Sequence, residues 1–493
     1  MSSRNLLDLP SEIIATILEH LHLDAMSKFS RTCRTIHSLV MMYGWASYLK
    51  SNAQPSPSLA CTETVWSPFD RVRYDVQASR AWSEKNLVAR PLSDPWHGKL
   101  RPRLAISHTR LVVAAGSTLY IYKFISPHNR HASPGIRFEA QYVLNREGRR
   151  PDAKQDISAV NFVPDGGQDR RLCVASVDGV ILMVTLPCQK PTDLDGHGSV
   201  VIEECYSTYS AINAMSASGN TVISLSSTGT ASLLDLTSRT ITSTLELNTQ
   251  GWSTHLNLHA SAPYVALGTS CMTSFVVHTL RESEMTPEPT AILSTTKKDS
   301  ERPCPVFAIC NAPPSFPSDP TQCLVGGYFD GGVRIFDLRS SRRVNAPAGI
   351  KGSALAPVMG MNDPWSLDAL FSVSAGGAVG THIAAGSARH SVVAFWDVRH
   401  PRDGWSVHAP GNDSSPVYSV LLESSRLFGV TQSRPFVYDF GSGVTAETYP
   451  RIRTRADRNS HVSFLNVPKQ LSDGIGFYVT KYDHSGDGLA HTN

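Results

Sequence analysis

The fold of this chain is indicated by a short phrase at residues 392–399, which reads Val-Val-Ala-Phe-Trp-Asp-Val-Arg. It is an alternating apolar run that closes on an acidic residue. About sixty positions earlier, residues 333–339 repeat the phrase as Val-Arg-Ile-Phe-Asp-Leu-Arg, and fainter copies stand at 231–236 and 436–440. Most copies follow a strand of small residues and a tight turn. A unit that recurs roughly every 40 to 60 residues indicates a repeat architecture.

Seven such units can be placed along the chain, each rich in small and β-branched side chains. They lie at residues 104–124, 157–186, 211–236, 254–280, 306–338, 358–398 and 417–440. A closed ring of twisted four-stranded sheets leaves only short, protected edges. We therefore predict a mainly β chain that forms a seven-bladed β-propeller, with six or eight blades as the alternatives.

The ring needs a closing strand, and the chain offers two sources for it. Residues 462–467 and 476–481 have strand character after the last unit, and a strand before Leu104 is the competing source. The predicted division is a helical domain at 5–50, a linker or bridging segment at 51–100 and the propeller at 101–485. Four aromatic residues of the bridging segment sit in a polar background and predict either a helix or a strand: Trp66, Tyr74, Trp82 and Trp96.

Charge and cysteine usage narrow the class of protein. The chain has 45 Lys and Arg against 42 Asp and Glu, and a net charge of +3 argues against nucleic acid or membrane as the main partner. The nine cysteines form no C-x-x-C pair, which fits a reducing compartment. The first residues lack the apolar core of a signal peptide, and no apolar stretch approaches a membrane span. A cytoplasmic and/or nuclear protein is expected.

Three short helices with a surplus of apolar side chains are predicted before residue 50. Ser11 is a suitable N-cap for the first helix, Asp24 for the second, and the third begins near Arg34. So small a unit cannot hide all its large side chains, and a surplus apolar face is where a partner binds. The apolar residues at helical spacing in the first helix are Ile13, Ile14, Ile17, Leu18 and Leu21.

Residues 5–45 resemble an F-box. The shared pattern is Leu-Pro-x-Glu-Ile at 9–13, apolar residues at 17, 18, 21 and 26, and Cys-Arg at 33–34, while Ile36 stands where the family often has Trp. In that family the Leu-Pro and the apolar helix face dock onto the Skp-type adaptor of a cullin–RING ubiquitin ligase. An ordinary helical cap packed on the next domain is the alternative. By resemblance, the adaptor contacts would be Leu9, Pro10, Ile13, Ile17, Leu18 and Leu21.

Residues 100–485 resemble a WD-repeat propeller with mostly degenerate signatures. Trp-Asp is intact at 396–397, and Phe-Asp at 336–337 is close to it. The whole chain resembles the F-box/WD-repeat substrate receptors, and the phrases at 326–339 and 414–420 look most like the dactylin branch. The resemblance implies a non-catalytic subunit of an SCF-type ligase that binds the adaptor through its F-box and a protein target through its propeller. The alternatives are a WD-repeat scaffold without a ligase role and a receptor for the cullin class that uses a propeller adaptor.

The sequence contains no complete motif for catalysis or for metal or cofactor binding. The Gly-x-Gly-x-x-Ala at 441–446 follows a strand, but Pro450 comes too soon for the helix that a dinucleotide site needs. Residues 483–488 look like the start of a calcium loop without its final Glu. The histidines include no H-E-x-x-H pair. We expect no catalytic residue, no cofactor and no metal.

Two charged features have both a functional and a structural interpretation. The Trp-Asp-x-Arg at 396–399 resembles the docking box of the other cullin class, whereas its Asp and Arg could simply satisfy hydrogen bonds at a strand end. Basic residues stand before the fifth unit and after the seventh, and converging guanidinium groups would suit a phosphorylated or acidic peptide. Solvated loop charge is the alternative. The candidate target-binding residues are Lys297, Lys298, Arg302, Arg453 and Arg455.

Overall fold

The computed structural model describes residues 9–54, 56–127, 132–144, 155–188, 199–208, 210–294, 303–345, 353–411, 414–452 and 468–485. Its N-terminal part is helical and the remainder is almost entirely antiparallel sheet. The prediction of a mainly β chain, with a helical domain followed by a β-propeller, is therefore confirmed.

The helical part contains the three predicted helices and two further ones. The expected N-caps are wrong, because Pro10 and His22 precede the first two helices and neither supplies a side-chain cap. Cys33 does cap the third helix, since its Sγ accepts the backbone N–H of Ile36 at 3.5 Å. The helices are α1 (Ser11–Glu19), α2 (Leu23–Phe29), α3 (Arg34–Leu39), α4 (Trp45–Ser51) and α5 (Pro68–Ser83), with a π-helical turn at Val40–Gly44 and 3-10 helices at Pro57–Thr62 and Pro320–Gln322.

The strands form seven sheets, numbered here by the position of their innermost strand in the chain. Strand β1 (Val88–Pro91) comes first in the chain. Sheet 1 has β2 (Arg103–Ile106), β3 (Arg110–Ala115), β4 (Thr118–Ile125) and β5 (Gly135–Val143). Sheet 2 has β6 (Ile157–Phe162), β7 (Arg171–Ser176), β8 (Val180–Thr185) and β9 (Val201–Ser207). Sheet 3 has β10 (Ile212–Ser218), β11 (Thr221–Ser226), β12 (Thr230–Asp235) and β13 (Thr240–Glu246).

The later sheets are less regular at their outer edges. Sheet 4 has β14 (Gly251–Asn257), β15 (Tyr264–Thr269), β16 (Phe275–Arg281), β17 (Glu284–Met285) and β18 (Ala291–Leu293), extended by β22 (Arg343–Asn345) and β23 (Ser353–Leu355). Sheet 5 has β19 (Val306–Asn311), β20 (Cys323–Tyr328), β21 (Gly332–Asp337) and β24 (Met359–Asn362). Sheet 6 has β25 (Leu370–Gly376), β26 (His382–Ser387), β27 (Val392–Asp397), β28 (His400–His408) and β32 (Lys481–Asp483). Sheet 7 has β29 (Val417–Leu422), β30 (Arg426–Thr431), β31 (Pro435–Asp439) and β1.

One predicted unit boundary is wrong. The sixth unit was expected to begin at residue 358, but β24 pairs with β21 and is the outer strand of sheet 5. Register pairs run from Gly332 with Asn362 to Ile335 with Met359. The outer strand of one sheet and the innermost strand of the next have similar compositions. Which sheet such a strand belongs to is therefore decided by its pairing and not by its sequence.

The innermost strands form a closed ring, in which β2, β6, β10, β14, β19, β25 and β29 are successive neighbours and β29 lies beside β2. The ring closes through the N-terminal strand, since β1 pairs antiparallel with β31, from Val88 with Asp439 to Pro91 with Phe436. The C-terminal candidate at 476–481 does not supply the closing strand; its last residue, Lys481, begins β32, which adds a fifth strand to sheet 6. The other candidate, at 462–467, lies outside the described part. Sheet 7 therefore combines β1, which precedes the first sheet, with the last three strands of the repeat, and this pairing closes the ring.

A separate apolar cluster fills each gap between neighbouring sheets. For example, Val112 and Ile121 of sheet 1 pack with Leu172 and Val174 of sheet 2. The second strand of each sheet is buried along almost its whole length, which is why these strands read as runs of small and β-branched residues rather than as strict alternation.

Candidate interaction surfaces

The N-terminal helices bury one apolar face and expose another. Their core joins Ile14 and Leu18 of α1 with Met26, Ile36 and Val40. Apolar side chains outside this core face solvent and form an exposed apolar set. Its members and their exposed fractions are Leu9 at 39%, Ile13 at 48%, Met41 at 40%, Met42 at 64% and Tyr43 at 40%.

The predicted adaptor contacts divide between surface and core. Leu9, Pro10 and Ile13 are exposed, and Ile17 and Leu21 are half-buried. Leu18 has no exposed surface and packs in the helical core, so its assignment as an adaptor contact stays a prediction that its burial does not support. Residues 41–43 were missed because they fall on the π-helical turn, where an extra residue per turn rotates apolar side chains away from the buried stripe.

Helix α5 joins the helical part to the propeller. Near its start, Val72 belongs to the helical core. Near its end, Trp82 is 2% exposed and lies in the cluster between sheets 6 and 7. There its ring stacks on Phe440, with centroids 3.6 Å apart and planes at 13°, and its Nε1 donates to the Ser424 carbonyl at 2.8 Å. One rigid helix is therefore part of two cores. It carries Tyr74 and Trp82 of the bridging segment, whereas Trp66 and Trp96 lie outside the helices and strands.

A buried polar network reinforces this connection through the segment before α5. The Ser58 amide donates to Glu423 Oε1 at 2.8 Å, and the Ser58 hydroxyl donates to Oε2 of the same carboxylate. Burial raises the pKa of Glu423, although the bonds from Ser58 and the nearby Arg426 act in the opposite direction. Arg426 has no exposed side-chain surface and is paired with Asp439 at 3.2 Å. The segment thus docks on charged groups that only sheet 7 supplies.

A second candidate surface lies at one mouth of the central cavity, whose volume is about 230 Å³. In six of the seven inner strands the register against the next strand shifts near the start, which marks a β-bulge. A bulge leaves one residue unpaired and turns its side chain aside. The residues skipped by the register are Ser158, Asn213, Trp252, Phe307, Phe371 and Tyr418, and all six line the cavity.

Four of these bulge residues form a continuous aromatic arc. Ring centroids are 5.0 Å apart from Trp252 to Phe307, 5.4 Å from Phe307 to Phe371 and 5.7 Å from Phe371 to Tyr418. Phe329, which is 57% exposed, extends the arc outward at 6.1 Å from Phe307. Aromatic side chains that are half-buried around an open cavity are typical of binding surfaces.

The other half of the mouth is polar. Arg103 at the start of β2 donates through Nε to the Ser158 carbonyl at 3.0 Å and through Nη1 to the Tyr418 carbonyl at 3.1 Å. Asn213 donates to the Gly251 carbonyl at 2.9 Å. These bonds cross from one sheet to the next, so polar side chains hold the mouth together where the arc is interrupted.

The aromatic arc and helix α5 lie at opposite ends of the inner strands. Phe371 is the second residue of β25, whereas Gly377, just beyond its end, lies against the Trp82 ring. Likewise Tyr418 is near the start of β29, and the residue that accepts from Ser58, Glu423, follows its end. Five or six residues of strand span roughly 15–20 Å. The arc therefore opens on the face that α5 does not contact.

Sequence reasoning missed the arc, although a local signal exists. The triplets Gly-Trp-Ser at 251–253, Val-Phe-Ala at 306–308, Leu-Phe-Ser at 370–372 and Val-Tyr-Ser at 417–419 open four successive sheets. Each places an aromatic residue before a small one at the same point of the repeat. A comparison of repeats position by position finds this pattern.

The charged features of the sequence have mostly structural roles where they are described. Trp396 is 1% exposed and belongs to the core between sheets 5 and 6. Arg399 donates to Asp397 through Nη2 at 2.5 Å, and although burial opposes it, this pairing lowers the pKa of Asp397. The predicted target-binding residues Lys297, Lys298, Arg302, Arg453 and Arg455 lie outside the described residues.

The rejected site motifs can also be located. The glycine-rich segment at 441–446 follows β31 as a turn, and a Cβ at Gly441 would lie 2.1 Å from the Tyr74 hydroxyl. Among described residues, no group of three His, Cys, Asp or Glu could hold a metal ion. In the same part of the chain, no helix is long and apolar enough to cross a membrane.

Comparison with protein families identifies a domain at the N-terminus of the chain. The family model of the F-box domain matches residues 6–44, the segment that contains α1 to α3 and the exposed apolar set. No curated protein matches the chain. The chain thus carries an F-box domain at residues 6–44, followed by a β-propeller.

Proposed function

We propose that the chain is the target-recognition subunit of an SCF-type cullin–RING ubiquitin ligase. Its F-box domain binds a Skp-type adaptor and its propeller binds the protein to be ubiquitinated. The chain itself has no catalytic role in this proposal, and it works in the cytoplasm and/or the nucleus. The observation that carries the proposal is the solvent-exposed Leu9, Pro10 and Ile13 on a segment that matches the F-box domain.

The exposed apolar set has the properties of a protein interface. Ile13 projects from α1 while its neighbour Ile14 fills the helical core, so one helix serves both surface and core. Large apolar side chains that remain exposed beside a complete core favour a permanent or frequent partner. The adaptor contacts of the proposal are Leu9, Pro10, Ile13, Ile17 and Leu21.

The connection through α5 supports a mechanism based on proximity. A ligase receptor raises the effective concentration of target lysines near the loaded conjugating enzyme, which requires a fixed span between its two binding surfaces. Trp82 and Val72 belong to different cores on one 16-residue helix, which restricts relative motion of those surfaces. The arc at the far mouth is the surface we assign to the target.

The Trp-Asp and Phe-Asp strand ends support placing the propeller among WD-repeat proteins, and we propose the F-box/WD-repeat receptors, dactylin branch, as its family. We keep the division into an F-box domain at 5–50, a bridging segment at 51–100 and the propeller at 101–485. Strand β1 of sheet 7 falls inside the bridging segment, which therefore contributes to the ring.

The adaptor assignment is tested by co-expression of the full chain with a Skp-type adaptor and measurement of the affinity of the purified partners. Ile13→Asp places a charge in the exposed set, and we expect affinity to fall at least about tenfold, since central interface residues often contribute 2 kcal/mol or more. Leu367→Asp is the matched control, because Leu367 is 80% exposed on a loop of the propeller. Failure of the wild-type chain to bind, or equal loss in both variants, would refute the assignment.

The other cullin class is tested in parallel with its propeller-type adaptor. Its docking would use Arg399, which is already paired with Asp397 on the same strand end. We expect no binding to that adaptor by the wild-type chain. Binding that Arg399→Ala abolishes would favour the second class instead, and binding to neither adaptor would favour a scaffold.

The target surface is tested with Phe371→Ala, which interrupts the aromatic arc at its centre. Proteins captured from cells by the wild-type chain should be lost from this variant, while the adaptor remains bound. Val201→Ala, an exposed residue on the outer strand of sheet 2, is the control. Retention of every captured protein by Phe371→Ala would exclude the arc as the target surface.

A further inference from the structure

A cavity of about 640 Å³ lies away from both surfaces, at the seam where the ring closes. Its walls come from four parts of the chain: β1 at the outer edge of sheet 7, β5 at the outer edge of sheet 1, and the segments at 446–452 and 470–477. Cavities of roughly 300–1,000 Å³ are typical of small-molecule sites. The class of ligand that fits this cavity follows from the charges and hydrogen-bonding groups of its lining residues.

The most buried charge in the cavity wall is Arg90, whose residue surface is 3% exposed. Its Nη1 donates to the Ile475 carbonyl and its Nη2 to the Pro450 carbonyl at 3.4 Å. Its Nε is buried and has no hydrogen-bond partner. The guanidinium lies 6.0 Å from the Tyr449 ring centroid and 5.5 Å from that of Phe477, so aromatic faces hold it in place.

Arg90 has carbonyl partners but no carboxylate partner among the described residues. Asp473 is near enough to act on Arg90 electrostatically, and its carboxylate accepts the backbone N–H groups of residues 475 and 476. Burial of a charge without a paired counter-charge is costly. An anion in the cavity would relieve this cost by supplying a counter-charge.

Two further guanidinium groups line the same cavity. Arg137 from β5 donates to the carbonyls of Ile136 and Glu447, and Arg451, from the segment at 446–452, is exposed. The exposed carboxylate of Glu447 is the one acidic side chain among the described lining residues. Three positive charges against one negative charge leave the described walls with a net positive charge of two.

We propose that this cavity binds a dianionic phosphate group, carried by a small molecule or by a phosphorylated side chain of a partner protein. Phosphate matches the walls in charge, and its oxygens match the planar fork of donors that each guanidinium presents. The site is independent of the proposed adaptor and target surfaces, and its residues differ from both.

The test is isothermal titration of the full chain at constant ionic strength with inorganic phosphate, O-phosphoserine and a neutral-flanked phosphoserine peptide. Arg137→Gln and Arg451→Gln remove one exposed guanidinium each, so neither should disturb folding. Arg402→Gln is the matched control, because Arg402 is also exposed but lies on β28 of sheet 6, outside the cavity. We expect saturable binding by the wild type, weakened about tenfold or more by each cavity variant and unchanged by the control.

The ligand series also distinguishes the two sources of the phosphate. Tighter binding of the peptide than of O-phosphoserine would support a phosphorylated partner, and equal or weaker binding would support a small molecule. The proposal would be overturned if none of the three probes showed saturable binding. Equal weakening by Arg402→Gln would overturn it as well, because binding would then depend on general charge rather than on the cavity.

Discussion

The packing of helix α5 on the propeller depends most on the side chain of Trp82. It is 2% exposed, stacks on Phe440 and approaches the Phe395 ring edge-on at 5.5 Å. Its indole N–H also satisfies the Ser424 carbonyl. Replacement by alanine should therefore loosen α5 from sheets 6 and 7 and leave a large void between them.

The cost of Trp82→Ala can be estimated from these contacts. Truncation of a buried tryptophan to alanine typically costs about 3–5 kcal/mol, because the neighbours close the void only in part. Loss of the bond to Ser424 adds about 1 kcal/mol, which places the expected loss near the top of that range. Trp82→Phe keeps an aromatic ring against Phe440 and should cost only about 1–2 kcal/mol.

The measurement is urea denaturation of the full chain followed by circular dichroism, with midpoints and slopes compared between variants. Trp365→Ala is the control, since Trp365 is 57% exposed and its indole N–H also donates to a carbonyl, that of Asp483. We expect the control to lose about 1 kcal/mol or less. If Trp82→Ala were no more destabilising than Trp365→Ala, the docking of α5 described above would be wrong.

Three further predictions follow from single side chains. Leu18→Ala should lower the free energy of unfolding by about 2–5 kcal/mol, because Leu18 is fully buried. Ile13→Ser changes an exposed residue of the same helix and should leave the thermal midpoint nearly unchanged. Equal effects of the two variants would contradict the division of α1 into a core side and a surface side. Burial lowers the pKa of His382 to about 4, with Asp397 opposing this and Arg399 adding to it. The folded state therefore binds fewer protons than the unfolded state between about pH 6.5 and 4, so stability should fall by about 2 kcal/mol from pH 7 to 5, and His382→Gln should reduce this loss. Burial raises the pKa of Glu423, so the folded state keeps the carboxyl proton to higher pH than the unfolded state does. The contribution of Glu423 to stability is therefore largest below pH 4.5 and declines as pH rises through the folded-state pKa. Glu423→Gln should remove that decline in urea titrations, and an unchanged pH profile of stability would contradict this prediction.

The helical and repeat patterns of the chain were readable because they are local. Apolar spacing located α1 near Ile13 and Ile14, and alternation with small residues located the strand around Phe395 and Trp396. Such periodicities follow from the geometry of one helix or one strand, which nearby residues determine. The F-box resemblance rests on the same local pattern.

Other features depended on which segments meet in space. The spacing in α1 could not say that Leu18 points to the core while Ile13 points to solvent, because both lie on the apolar side of the helix and the partner helices decide between them. The predicted N-caps were wrong by one or two positions, since Ser11 is the first residue of α1 and Asp24 is the second residue of α2.

By itself, the sequence determined an N-terminal F-box pattern and a repeating strand unit, since both are written in short-range periodicity and composition. Only the tertiary structure decided that β1 closes the ring, that bulge residues from four sheets meet as an aromatic arc, and that Arg90, Arg137 and Arg451 line one cavity. These residues lie up to several hundred positions apart, and their meeting is set by strand register and ring closure. No local propensity encodes those long-range choices, because they are fixed by the packing of whole sheets against one another.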